Sequence, residues 1–389
     1  MTIRYWLPLT ALALPALALA ADGPAHSDSA ARLPSSAAAP VALVADLNSG
    51  QVLFARAANR RLLPASMTKA MAALLAFDLI EAAKLRETDL ITVRPETAAR
   101  WAGKGTTLNL RAGEKVSVHD LLFGTTTVSA NDAAVVLAEG AAGSVAQWTD
   151  RMNARAAGLG MAASHFASAN GFPDHGRTYV TANDMIRLGR ALIEEHPQLY
   201  LRYFGQKAMT WRGARLLSHD PLSGVLPGAD GIKTGHSFEA GYNFLGSVLR
   251  DGRRVVMVVG GSPSESARAA AAHALGQWSF TAWDSQAFLA KGMAVGVGKV
   301  QGGDARSVRL GVPRSFSLAV PHGTTAQVSG RILYDGPLRA PLAKGQRVAR
   351  LVIHLEGQPD HELPLVALDA VQTAGPIDRI ISGLLWLFS

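Results

Sequence analysis

The spacing of apolar and polar positions changes character several times along the chain. From Val41 two β-rich runs, VALVAD and QVLFAR, flank Asn48-Ser49-Gly50, which reads as a hairpin. The stretch from Ser66 to about Lys84 is apolar on most sides and predicts a helix made for burial. Helical spacing then dominates for well over a hundred residues. SVHDLLFGTTTVSANDAAVVLAEGAAG opens with Ser117 and Asp120 at capping-box spacing, SVAQWTDRMNARAAGLG is amphipathic, and Thr181 with Asp184 repeats the box before TANDMIRLGRALIEE. Strand-like runs return as GYNFLGSVL and RVVMVVGG on either side of a turn at Arg250–Arg253. An Ala-rich helix follows, with Ser264 as its cap. Strands from both ends of this segment must share one sheet, antiparallel at its hairpins, with a helical cluster inserted between them. That pattern is α+β.

Near residue 286 the pattern shifts again. Short alternating runs such as SVRLGV, FSLAVP and RVARLVIHLEG carry Val, Gly, Pro and Arg without helical periodicity, which predicts a small all-β domain, a sandwich or barrel, over 286–372. The last segment, 373–389, contains PIDRIISGLLWLFS. On a helix from Pro376, residues Ile377, Ile380, Ile381, Leu384, Leu385 and Phe388 share one face, opposite Asp378, Arg379 and Ser382. Too short to span a bilayer, it reads as a helix lying in the membrane surface, with Trp386 suited to the interface. At the other end, Arg4, the apolar stretch Leu7 to Leu19 and Ala18-Leu19-Ala20 have the order of a secretory signal peptide over 1–20. The Ala/Ser/Pro-rich segment 21–37 reads as a flexible leader. The α+β unit occupies 38–285.

Composition narrows the chemistry. The chain has 389 residues, enough for two domains, and its 48% hydrophobic and 17% charged content is that of a folded protein. There is no cysteine, so disulfides, thiol catalysis and thiolate zinc sites are excluded. A net charge of +8 favours acidic surroundings, but the basic residues are spread along the chain and no clustered block points to nucleic acid. Diffuse positive charge suits a membrane or wall neighbourhood. No His/Asp/Glu cluster has ligand spacing, so neither metal nor cofactor is expected.

Three short motifs remain. Ser66 and Lys69 stand one turn apart at the head of the buried helix. Ser129-Ala130-Asn131 lies inside the helical insertion, and Lys233-Thr234-Gly235 heads a strand after Asp230-Gly231. Each alone is common. A solvated helix face, a local backbone bond or an ordinary strand start would explain them one by one. Together they supply two activators for a serine, a cation for a carboxylate, and a glycine that lets a substrate backbone approach a strand edge.

On SMTK (66–69), SAN (129–131) and KTG (233–235), the chain resembles the serine penicillin-recognising enzymes. Within them it resembles the low-molecular-mass penicillin-binding proteins that are D-alanyl-D-alanine carboxypeptidases. The blocks PASMTK, SANDAA, ASANGFPDHGRTYVTANDMIRLGRALI and DGIKTGHSFEAGYN extend the likeness over roughly 38–285, and the β domain with amphipathic tail matches the family layout. The resemblance implies a β-lactamase/transpeptidase-like catalytic domain and an acyl-enzyme on Ser66. Lys69 would be its base, with a pKa lowered by burial and by Lys233, and Ser129 would relay a proton to the leaving D-alanine. Asn131 would hold Lys69 and the substrate amide. Lys233 and Thr234 would bind the terminal carboxylate, Gly235 would let the substrate backbone approach the strand, and the backbone N–H groups of Ser66 and His236 would form the oxyanion hole. The implied partners are peptidoglycan stem peptides ending in D-Ala-D-Ala, β-lactams and, through the tail, the outer face of the inner membrane. The implied compartment is the periplasm.

The chain departs from the family pattern between the second and third motifs. Where the family often carries an N-x-N stretch with an arginine, this chain has LLSHDPLSG, and His219 is the nearest equivalent. Asp174 and His175 belong to a turn built from Asn, Gly, Pro and Asp. Two alternatives share the fold. A class A β-lactamase needs a Glu and an Asn four apart, which the stretch 160–200 lacks. A non-catalytic wall-binding protein would carry a damaged motif, and all three are intact.

Overall fold

The chain divides after Ala282 into two units. The computed structural model describes residues 2–7, 32–325, 328–355 and 360–375. Among these, one unit holds 32–47 and 52–282, and the other holds 2–7, 48–51 and 283–375.

The first unit is built on five strands: β1 (Val41–Asp46), β2 (Val52–Arg56), β3 (Ala229–Ser237), β4 (Gly241–Arg250) and β5 (Arg253–Ser262). Their spatial order is β2-β1-β5-β4-β3, and every neighbouring pair is antiparallel. β1 is buried at every position, as its unbroken apolar run requires of a strand covered on both faces. The covers are helices α6 (Ala182–Glu195) and α8 (Glu265–Thr281). Gly189 of α6 lies against Val256, and Gly276 of α8 lies against Met257. Adjacent residues of a strand point to opposite faces, so the two helices sandwich the sheet. β3 is left at an edge.

Between β2 and β3 lies the helical cluster. A single 3₁₀ turn, Ala65–Met67, leads into α1 (Thr68–Glu81), whose residues from Thr68 to Phe77 are all buried. Around it stand α2 (Pro95–Trp101), α3 (Val118–Thr126), α4 (Asn131–Ala142), α5 (Val145–Gly158) and α7 (Pro197–Tyr203). The caps read from sequence form: Ser117 Oγ accepts the Asp120 N–H at 3.0 Å, Thr181 Oγ1 that of Asp184 at 3.2 Å, and Ser264 Oγ that of Ala267 at 3.1 Å. The helical stretch from Ser117 to Gly143 is broken. α3 ends at Thr126, and Ser129 adopts φ +65° before α4 begins at Asn131. Two short ribbons, Leu90–Thr92 with Lys115–Ser117 and Ala208–Trp211 with Ala214–Leu217, escape the sequence pattern because three or four residues are too few to show a period.

At the far end of α1 a charged cluster ties the helices together. His196 is 4% exposed, its Nε2 lies 2.8 Å from Asp78 Oδ1, and its Nδ1 lies 3.0 Å from Glu81 Oε1. Arg155 bonds Asp78 at 2.8 Å and also pairs with Glu195. Asp78, Glu195 and His196 bring their ligand atoms close enough for a metal ion, but the Arg155 guanidinium already supplies the positive charge between the two carboxylates. Burial opposes protonation of His196, yet the two carboxylates outweigh it and hold the ring's pKa above that of a free histidine.

The second unit is all β. Its larger sheet runs in the order Thr2–Leu7, Val328–Asp335, Arg347–Leu355, His361–Ala367, Ser307–Gly311, Ala294–Gln301, Leu338–Arg339. Trp283–Leu289 pairs with Phe316–Pro321 in a second, two-stranded sheet. Leu310, Phe316, Leu318, Leu351, Ile353 and Leu365 are among its buried core residues. Along the C-terminal part of the chain the strands of this unit start at Trp283, ahead of the composition shift at 286. Thr2–Leu7, within the segment read as a signal peptide, pairs antiparallel with Val328–Asp335. A sheet edge is a ready template for such pairing, whatever the local sequence prefers. The remainder of that segment and the C-terminal helix read from Pro376 lie outside the described residues.

Candidate active site

Several segments of the first unit converge at the head of α1. The 3₁₀ turn carries Ser66, α1 carries Lys69, the break before α4 carries Ser129, α4 opens with Asn131, and the edge strand β3 carries Lys233, Thr234, Gly235 and His236. All but Ser66 and His236 of the side-chain-bearing residues are buried.

Lys69 is 0% exposed, and its Nζ has three neighbours: Ser66 Oγ at 2.7 Å, Asn131 Oδ1 at 2.8 Å and the Asn170 carbonyl at 2.9 Å. The orientation of the Asn131 amide follows from its other end, where Nδ2 donates to the Lys104 carbonyl at 3.0 Å. Burial holds the Lys69 pKa well below that of a free lysine, the Lys233 charge pushes it lower still, and Asp132 opposes them. Asp132 is itself buried and engaged, accepting the N–H groups of Leu108 at 2.9 Å and Leu110 at 3.0 Å. It thereby pins the loop that supplies the Lys104 carbonyl.

Gly171 and Gly235 show how tightly the parts meet. Gly171 has φ +74°, and a Cβ there would lie 1.8 Å from the Ala65 carbonyl oxygen. A Cβ on Gly235 would lie 2.2 Å from the Pro64 carbonyl oxygen and 3.1 Å from the Met67 nitrogen. Neither position can carry a side chain without parting the serine-bearing turn from its neighbours.

Lys233 is buried, and its Nζ donates to the Thr234 carbonyl at 3.1 Å. Its pKa is lowered to about 7, first by burial and then by the charge of Arg268. Arg268, on α8, escaped the sequence reading. It is 3% exposed, its Nη2 donates to Glu265 Oε1 at 3.0 Å, and its buried Nε has no hydrogen-bond partner. Its guanidinium lies 6.0 Å from the Tyr242 ring, on which His236 stacks with centroids 3.9 Å apart. The signal available was a lone arginine in an otherwise Ala-rich helix. Asn170 also escaped, because it acts through its backbone carbonyl. His219 lies on the connection from the second ribbon to β3 and is exposed as a residue. Partial burial of its ring and the charges of Lys233 and Arg268 hold its pKa below the usual histidine value, so it sits within their field. Asp174 is occupied by its own turn, accepting from the Thr178 N–H at 3.1 Å and hydroxyl at 2.5 Å.

A serine touching a buried lysine whose neutral form is favoured, beside a buried lysine on a strand edge and a buried arginine on the neighbouring helix α8, is suited to acyl transfer from a substrate with a carboxylate end. The fold and these motifs together define a serine penicillin-recognising enzyme. The chain belongs to the D-alanyl-D-alanine carboxypeptidase family, whose profile matches residues 27–264. A second profile, the penicillin-binding protein 5 C-terminal domain, matches 283–373. The chain is 33% identical over 355 residues to the D-alanyl-D-alanine carboxypeptidase DacA of Escherichia coli, covering 89% of this chain and 87% of that protein. It is 31% identical over 344 residues to DacA of Haemophilus influenzae, covering 88% and 86%. The crystal structure of penicillin-binding protein 5 from Haemophilus influenzae superposes with a TM-score of 0.77 at 30% identity, over 88% of this chain and 99% of that one. Penicillin-binding protein D2 from Listeria monocytogenes in its ampicillin-bound form gives a TM-score of 0.56 at 30% identity, over 62% and 97%.

Proposed function

We propose that this chain is a serine-type D-Ala-D-Ala carboxypeptidase that removes the terminal D-alanine from peptidoglycan stem peptides, and that β-lactams acylate the same serine. The family membership supports the reaction. The observation that carries the assignment of roles is the set of three neighbours around Lys69 Nζ.

A neutral amine has two N–H bonds and one lone pair. Asn131 Oδ1 and the Asn170 carbonyl can only accept, so they take the two N–H bonds. The lone pair is left facing Ser66 Oγ, the one neighbour that can donate. Lys69 is then a general base aimed at the nucleophile, and burial with Lys233 nearby favours its neutral form. Ser66 Oγ attacks the carbonyl of the penultimate D-alanine, and the proton passes to Lys69. The N–H groups of Ser66 and His236 receive the oxyanion. Ser129 hands a proton to the departing D-alanine amine and takes in its place the proton that Lys69 received from Ser66, which returns Lys69 to its neutral form. Lys233 and Thr234, with the unpartnered Nε of Arg268 behind them, hold the terminal carboxylate. Gly235 lets the substrate backbone lie along the β3 edge, and Asn131 holds the substrate amide. Water releases the acyl group with Lys69 again as base. His219 contributes to the field of the carboxylate site. No metal or cofactor enters these steps.

The compartment belongs to the same proposal. Residues 1–20 would be removed on export, the enzyme would work in the periplasm, and 373–389 would rest on the outer face of the inner membrane. The test uses the mature chain and its Ser66→Ala variant with a labelled penicillin and a D-Ala-D-Ala tripeptide. Label on wild type alone, with release of D-alanine, supports the proposal. Rapid turnover of penicillin without D-alanine release would make the chain a β-lactamase. No label on either would leave a wall-binding protein.

A further inference from the structure

The oxyanion hole proposed above has one donor on the serine-bearing turn and one on β3. Its quality depends on the spacing between two segments far apart in sequence, because donors must sit within about 2.7–3.1 Å of the developing charge. One buried side chain lies where that spacing is set. Asn243, on β4, is 0% exposed and stands directly opposite Gly235 in the β3–β4 register. Its Nδ2 donates to the Leu63 carbonyl at 3.0 Å. Its Oδ1 accepts the Gly261 N–H at 2.8 Å, beside the irregularity in the β4–β5 pairing between Val259 and Ser262.

Leu63 begins the approach to the nucleophile. Leu62 is anchored by a bridge to Val180, its N–H donating to the Val180 carbonyl at 2.9 Å and its carbonyl accepting the Val180 N–H at 3.0 Å. Pro64, next in line, has no N–H to give, and Ala65 turns the chain with φ +48°. So the Asn243 amide grips the chain at the last carbonyl before the proline and the turn. On its other side, Gly235 packs against Pro64 and Met67 with no room for a Cβ. One amide therefore joins the strand behind β3, the β5 irregularity and the entry to the nucleophile turn.

We propose that Asn243 is a positioning residue for the oxyanion hole. It touches neither substrate nor reacting atoms. It fixes the depth at which the Ser66 turn sits against β3, so its loss widens the hole while leaving the carboxylate site on Lys233 and Arg268 in place. An effect confined to the oxyanion is an effect on the transition state, which lowers kcat and leaves KM nearly unchanged.

Two variants of the full chain separate the two hydrogen bonds. Asn243→Ala removes both. Asn243→Asp keeps an acceptor for the Gly261 N–H and removes the donor to Leu63. Saturating labelled penicillin counts the active molecules in each preparation, and rates of D-alanine release from a diacetyl-lysyl-D-alanyl-D-alanine tripeptide are divided by that count. Both variants should lose about tenfold or more in kcat with KM within about twofold of wild type. A wild-type kcat in Asn243→Asp, a rise in KM with kcat unchanged, or normal turnover per active molecule in Asn243→Ala would each overturn the inference and leave Asn243 a purely structural residue. The inference rests on the proposed carboxypeptidase reaction, and the two fail differently. If wild type neither takes label nor releases D-alanine, the reaction itself is wrong. If wild type works and the variants match it, only the role of Asn243 is wrong.

Discussion

Gly171→Ala should damage activity far more than a single methyl group suggests. The residue has φ +74°, and the added Cβ would lie 1.8 Å from the Ala65 carbonyl oxygen. Cβ contacts below 3.0 Å essentially never occur, so the two segments must part by about 1.2 Å. The obstacle is backbone and cannot swing aside as a side chain would. A left-handed conformation costs alanine about 1–2 kcal/mol, and overpacking adds about 1–3 kcal/mol. At roughly 2–4 °C per kcal/mol for a unit of this size, the melting temperature should fall by roughly 4–20 °C. The displaced segment includes the Asn170 carbonyl, one of the three groups on Lys69. A misplacement of about 1 Å at a catalytic base is worth about a hundredfold in rate. Gly252→Ala is the control, because Gly252 has φ +75° with nothing within 4 Å of a Cβ. Thermal unfolding and the rate of acylation by labelled penicillin decide the matter. If Gly171→Ala melts with the control and acylates at the wild-type rate, the close packing of this turn on the nucleophile does not exist.

Lys69→Met should keep the fold and lower acylation by about 10²–10⁴-fold, read as label incorporation per folded molecule. In wild type the rate should rise with pH along an acidic limb well below the range of a free lysine, since only the neutral amine is a base. Lys233 has its pKa lowered to about 7 in the folded state, so the unfolded chain binds the extra proton between about pH 7 and 10. Its contribution to stability therefore rises with pH across that window, and a carboxylate ligand, by restoring the charge, should draw in a proton near pH 8. Calorimetry of tripeptide binding to Ser66→Ala in two buffers of different ionisation enthalpy measures this, and equal heats would refute it. Arg268→Ala should raise the Lys233 pKa, because it removes a neighbouring cation, and should weaken tripeptide binding by about tenfold. His196 has a raised pKa, so its tie between α1 and α6 is complete below about pH 6.5 and is lost as pH climbs through the folded value. The stability gap between wild type and His196→Gln should shrink at alkaline pH.

Much of this architecture could be read from residue patterns because its causes are local. The hairpin at Asn48-Ser49-Gly50, the caps at Ser117, Thr181 and Ser264, and the buried helix after Ser66 each carry their signal within a few residues. The three motifs were legible because chemistry restricts the residue types. What escaped was tertiary. The Asn170 carbonyl has no residue signature, since any amino acid could present it. Arg268 is a single arginine in an Ala-rich helix, and only the fold brings its charge to bear on Lys233. Asn243 is a polar residue in a strand, and only the fold reveals that both ends of its amide are occupied. Ser129 was placed within a helical stretch, whereas the chain breaks there and turns left-handed. His219 lay in a stretch with no periodic pattern, and its relation to Lys233 depends on how that connection folds back.

Besides Ser66, the neighbours of Lys69 Nζ lie 62 and 101 residues from it in sequence. Ser66 is therefore an ordinary alcohol in any chain that has not finished folding. In an open chain Lys69 would meet water, stay protonated with a pKa of about 10.4, and abstract nothing. Reactivity comes with the closing of the interior and is lost when the interior opens. A newly made chain carries no chemical hazard to its surroundings, and a damaged one disarms itself. For the same reason a covalent β-lactam probe works as a census: each label marks one molecule in which all the distant pieces have met.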